Sequence, residues 1–326
     1  MAEREPLRAT FYTLHRHGER QGVLLGATAT TLILGAGLVG LFVLVCWPLF
    51  TTLGVIFQGG PNADPTPVLG AMFSLFGLAI LFLFFFYVLL AAYEAACLRW
   101  MLRREAPGLF GLNLGADTWR VYLIYWIWFF INLAVSIAVS MVMMPIMFMM
   151  MAGAADGGDV NAILGNTIAL QLGINAIHYG VMIFLGLRFG PGAATSISLK
   201  RFAYFDAWKV TRHRFWALFG SFLVLWLIYA VVFVVIAAVG FGALIASLAS
   251  AGLFDPSATP EQTSEAIMTL FAPQNLAMVG LFYALMLVVY VFYSLMAFGI
   301  NARAVIAAVS EGKIEGVTPN VADVFE

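Results

Sequence analysis

The chain reads as an all-α, polytopic helical membrane protein: six transmembrane helices arranged as three parallel-repeat hairpins, with short interfacial helices beside them. Three observations carry that reading. Hydrophobic residues make up 63% of the 326 positions and charged ones 10%, against about half and a quarter in soluble domains, and the mean hydropathy is +0.96. Six apolar segments each exceed the ~20 residues a helix needs to cross ~30 Å of hydrocarbon. Finally, a net charge of only -1 conceals a segregation of the basic residues, which are confined to one side of the spans.

Residues 1–21 form a polar segment carrying Arg4, Arg8, Arg16 and Arg20. The membrane domain spans 22–305 and a polar tail covers 306–326. The first span runs from Gly22 to Phe57, too long for the apolar core of a cleavable signal. A Gly/Pro/Asp turn at 60–65 leads to the second span, Pro67–Leu98, and a short connector carries Arg103 and Arg104. Spans three and four, Trp119–Met151 and Val160–Leu187, flank the turn at 155–159. A basic connector follows at 188–214. Span five runs from Phe215 to Ser250, and span six from Leu276 to Arg303. In the loop between them, Thr259-Pro260-Glu261-Gln262 has the form of a helix start, which predicts a short helix from Pro260 to Phe271. Cys46 and Cys97 fall near opposite ends of neighbouring spans, too far apart for a disulfide.

Charge orients these spans. All 16 Lys and Arg lie in the N-terminal segment, the connectors after spans two and four, the tail, or the span ends beside them. The three opposite loops carry only acids: Asp64, Asp156, Asp159, Asp255, Glu261 and Glu265. The positive-inside rule then places both chain ends in the cytosol of a bacterial inner (plasma) membrane.

The hairpin repeat rests on spacing. Arg99 precedes Asp117-Thr118-Trp119-Arg120-Val121 by 18 residues, and Arg188 precedes Asp206-Ala207-Trp208-Lys209-Val210 by the same 18. The first span of each hairpin is overlong and carries a helix breaker at a similar depth: Pro48, Pro145, and Gly240 with Gly242.

Within the connector, Thr195 to Val210 has the pattern of one interfacial helix. Ile197, Phe202, Phe205, Trp208 and Val210 make an apolar face bordered by Lys200, Arg201 and Lys209. With Arg212 and Arg214, these cations are candidate contacts for anionic lipid, each basic residue near such a surface contributing about 1 kcal/mol.

The strings Asp206-Ala207-Trp208-Lys209-Val210-Thr211-Arg212 and Phe215-Trp216-Ala217-Leu218-Phe219-Gly220 resemble a stretch of uncharacterised bacterial six-span membrane proteins. They are similar also to the membrane domain fused to some glycerophosphodiester phosphodiesterases. His213 stands where that group usually has glycine. The resemblance implies membrane architecture and transfers no catalytic or ligand residue.

Three patterns bear on chemistry. Arg16-His17-Gly18-Glu19 matches the tetrapeptide of histidine phosphatases, but a transmembrane helix follows where those enzymes need a whole α/β domain. Met141, Met143, Met144, Met147, Met149, Met150 and Met151 gather soft thioethers that suit Cu(I), or else fill irregular packing. Asn132, Ser136 and Ser140 in span three, and Thr167, Gln171, Asn175 and His178 in span four, form polar stripes on single helix faces. Counted from Trp119 and from Arg188, both stripes lie 13, 17 and 21 residues into their spans, at ~20, 25 and 32 Å. They are expected to face each other, Asn132 near Asn175 and Ser136 near Gln171, as interhelical hydrogen-bond glue or as the lining of a small polar cavity. Glu94 lies close enough to the interface to be hydrated.

No convergent set of acids, bases or nucleophiles marks an enzyme, and no residue pattern calls for a cofactor. The expected role is a non-catalytic scaffold or accessory factor of a membrane assembly. Handling of a small solute or lipid at the polar site between spans three and four is the alternative. The expected partners are the bilayer with its anionic lipids and another membrane protein or a second copy, not nucleic acid.

Overall fold

In the computed structural model, which describes residues 9–14, 22–58, 66–155, 160–250, 259 and 273–316, the apolar segments fold as long helices. They are α1 (Gly22–Gln58), α2 (Thr66–Arg103), α3 (Ala116–Ala155) and α4 (Val160–Phe189). The second basic connector contains α5 (Gly192–Ser198), a 3-10 turn (Tyr204–Asp206) and α6 (Ala207–Thr211). The long α7 (Phe215–Ser250) and α8 (Pro273–Ser310) complete the set. Six of these are long and apolar enough to cross a membrane, which makes the chain an all-α, multi-pass membrane protein. Pro48 lies inside α1 and Pro145 inside α3, and both helices continue past them.

α2 is the hub, packed against α1, α3, α5 and α8. Its last turns read Ala91-Ala92-Tyr93-Glu94-Ala95-Ala96-Cys97-Leu98, and every one of these residues is buried. Small alanines let neighbouring backbones approach closely, which matters in a bilayer because lipid tails are as apolar as leucine and give helices little hydrophobic reason to associate. The core is lopsided. Its side chains come from the ends of α2, α4 and α8, the starts of α1, α3 and α7, α5, and Tyr12, Tyr204 and Val210, all toward the end that carries the basic residues. In the far halves of the long helices only Cys46, Ala71, Met143 and, at the midpoint of α8, Val291 are buried among the described residues. Phe73, Phe76, Val231, Val235 and Val239 are exposed there, as suits surfaces bathed in lipid. Cys46 and Cys97 are both free thiols.

The basic connector departs from the single interfacial helix that its pattern predicts. α5 is entirely buried, wedged among α2, α3 and α8. Thr195 and Ser196 donate to the carbonyls of Pro191 and Gly192, both at 2.8 Å, and so enter the core with their hydroxyls satisfied. Lys200 then takes φ +54° and ends the helix, and Ser196 Oγ accepts from Ala203 N at 3.0 Å across the bend. Gly192 is required for the fit: a Cβ there would lie 2.6 Å from the Tyr204 ring. The apolar residues Ile197, Tyr204 and Val210 face the bundle interior rather than lipid.

Candidate functional site

The strongest concentration of charge inside the fold is at the end of α2. Arg99 and Arg103 stand four residues apart, on one helix face. The connector that follows turns back through positive φ angles at Arg104, Gly108, Phe110 and Gly111, so that α3 begins beside the end of α2 and presents Asp117 in its first turn. Asp117 meets three guanidiniums. Arg103 Nη2 donates to its Oδ2 at 2.5 Å, Arg120 Nη1 to its Oδ1 at 2.6 Å, and Arg99 Nη1 lies 3.8 Å from Oδ2. The side chains of Arg99, Arg103 and Asp117 are 3%, 5% and 9% exposed. Arg99 also donates to Gly111 O at 2.7 Å and Arg103 to Ile197 O at 3.3 Å, which ties the connector and the end of α5 to α2. Glu105 supplies a second carboxylate, 2.9 Å from Arg103. These groups, with Asn113, Gly115 and Lys200, line a cleft of about 330 Å³.

Beyond Lys200 lies a second cleft, of about 590 Å³, lined by Lys200, Arg201, Lys209 and the chain after α8. Asp206 accepts from Lys209 at 2.9 Å and from Arg201 at 2.8 Å, and the lysine's hydrogen bond foremost holds its carboxyl below the usual range. Arg212 is exposed and lies outside this lining, while Arg214 pairs with Glu311. Glu311 is likewise held low, first by its hydrogen bond with Lys313. Burial pushes the Tyr204 hydroxyl up to about 12. Of the five predicted lipid contacts, Lys200, Arg201 and Lys209 therefore share one cleft.

The two D-x-W-basic-V strings fold alike in part. Asp117 and Asp206 each pair with the basic residue three positions on, and Val121 and Val210 are fully buried. Their arginines differ. Arg99 is held by Asp117, whereas Arg188 packs over the rings of Trp208, Phe215 and Phe184 at 4.7, 5.2 and 5.7 Å.

The polar stripes do not bury against each other. Asn132, Ser140, Gln171 and Asn175 are exposed, and Ser136, Thr167 and His178 are half-buried. Gln171 Nε2 donates to Asn175 Oδ1 at 3.3 Å within α4. Residues four apart on one helix already sit within reach of each other, so equal depth in neighbouring spans does not force them to face. Of the methionines, Met143 is buried while Met141, Met144 and Met149 are exposed. The side chains of Met147, Met150 and Met151, the Arg16–Glu19 tetrapeptide and the Pro260–Phe271 segment lie outside the described residues. Glu94 is buried rather than hydrated, and it accepts from Tyr125 Oη at 2.6 Å.

Sequence reasoning singled out neither the Arg99–Arg103–Asp117–Arg120 cluster nor the Glu94–Tyr125 pair. The cluster had a legible signal in R-x-x-x-R closing one helix and D-x-x-R opening the next. The pair had none, because its partners lie 31 positions apart. Comparison with family models, with curated proteins and with solved structures returns no match.

Proposed function

We propose that the protein is a non-catalytic scaffold or accessory factor of a membrane assembly, set in a bacterial inner membrane with both ends of the chain in the cytosol. The observation that carries this reading is the state of α4. Its most apolar stretch buries no residue within the chain, yet it exposes the amides of Gln171 and Asn175, about 25 and 20 Å from Arg188 along the helix. An amide facing hydrocarbon is costly even when paired along its own helix. A helix from another protein or a second copy, laid on that face, removes the cost. The orientation is supported by the segregation of all basic residues to one end. The parallel-hairpin repeat is supported by the packing of α1 on α2, α3 on α4 and α7 on α8. His213 holds φ +67°, a conformation glycine adopts without strain, as suits a position where the resembled membrane domains usually carry glycine.

The test is a photoreactive amino acid at Leu172 or Gln171 in native membranes, with Val239 on α7 as the control face. A discrete protein adduct from α4 and none from α7 supports the reading. Adducts to lipid or a small solute alone favour handling of such a molecule at the α3–α4 face.

A further inference from the structure

We infer that the cleft at the end of α2 binds a phosphate-bearing anion, and that its ligand is the headgroup of an acidic phospholipid. The inference stands apart from the scaffold reading. It begins with charge: Arg99, Arg103, Arg120 and Lys200 place four cations on the cleft, against the two carboxylates of Asp117 and Glu105. Two positive charges are left over, in a site where two of the guanidiniums are almost wholly withdrawn from water. Like charges held close in a medium less polarisable than water repel strongly. Asp117 and Glu105 between them leave part of that repulsion uncompensated. An anion seated in the cleft relieves that repulsion.

Donor geometry selects phosphate. A guanidinium offers parallel N–H donors that match two oxygens of a phosphate group. Arg120 is the most accessible of the three, with its side chain 25% exposed, and Lys200 at the rim, 3.9 Å from Glu105, adds a point charge. The surroundings select lipid. The connector that walls the cleft turns apolar side chains outward, with Leu109 at 62% and Leu114 at 60% exposed. Trp119 is exposed in the first turn of α3, where an aromatic belt meets headgroups. A cationic cleft edged by exposed leucines fits a headgroup phosphate whose acyl chains run down the helices beside it. A free phosphate ester from the aqueous side shares the phosphate chemistry but makes no use of the leucines.

The experiment titrates the full-length protein in neutral detergent with phosphatidylglycerol or phosphatidylcholine of the same chain length, read by native mass spectrometry. The expected result is one saturable phosphatidylglycerol site, weakened about tenfold by Arg120→Gln and also by Lys200→Gln, as loss of a charge-assisted contact implies. Lys313→Gln, outside this cleft, leaves it unchanged. Asp117→Asn, which removes one of the cleft's two carboxylates, raises affinity; a purely structural cluster would lose thermal stability with no gain in binding. Inorganic phosphate is the second arm. Competition at matched concentration assigns the cleft to free phosphate and overturns the lipid assignment, whereas no competition at 100-fold excess supports the headgroup. Should folded Arg120→Gln and Lys200→Gln bind phosphatidylglycerol as the parent does, the site is refuted.

Discussion

Arg188 lies over the ring of Trp208 at 4.7 Å, and its Nη1 donates to the Thr211 carbonyl at 3.3 Å. The arginine that ends α4 is thus held by the connector that leads to α7. A planar guanidinium stacks and donates at once, which a lysine ammonium does not. Arg188→Lys and Trp208→Leu should each lower the thermal midpoint in detergent. A double-mutant cycle should return a coupling of about 1 kcal/mol. Coupling near zero would make the ring a cover and nothing more.

Glu94 and Tyr125 form the second pair open to test. Tyr125 Oη donates to Glu94 Oε2 at 2.6 Å, with the carboxyl buried inside the bundle. Tyr125→Phe should destabilise by about 1–3 kcal/mol, because it strands the remaining buried group. Glu94→Gln keeps an acceptor and should cost less. The combined Glu94→Leu, Tyr125→Phe variant should recover much of the loss. Equal midpoints for Tyr125→Phe and the parent, measured by thermal unfolding, would contradict the pairing.

Acid should weaken the basic end. Asp206 and Glu311 are held below their ordinary values of 3.8 and 4.5 by Lys209 and Lys313. A carboxyl whose folded pKa is depressed contributes stability that is complete above its unfolded value and lost as pH falls through the folded one. The midpoint should therefore be flat above about pH 5 from these two groups and decline below about pH 4. Asp206→Asn with Glu311→Gln should flatten that decline. The change is small, since partners this exposed contribute less than about 1 kcal/mol each. An identical acid profile in the double variant would assign the decline to other carboxyls.

The sequence alone determined that six helices cross a bilayer and which of their ends carries the basic residues. Both follow from properties that add up along the chain: the apolar length of each segment, and the sign of the charge at each turn. The span ends were legible to within about two turns: the hydropathy of α2 stops at Leu98 while its hydrogen bonding runs on to Arg103, and α8 runs on from Arg303 to Ser310. Only the tertiary structure decided which faces meet. It sank α5 into the core, where the alternation of Ile197 and Lys200 had pointed to the membrane surface. It gathered Arg99, Arg103 and Arg120 on Asp117, buried Glu94 against Tyr125, and left Gln171 bonded along α4 instead of across to α3. The reason lies in the solvent. In water an amphipathic helix has one face that must be buried, so its pattern announces its rotation. In lipid a helix apolar on every side has no such preference, and its rotation is settled by close packing and by the few polar groups that find partners.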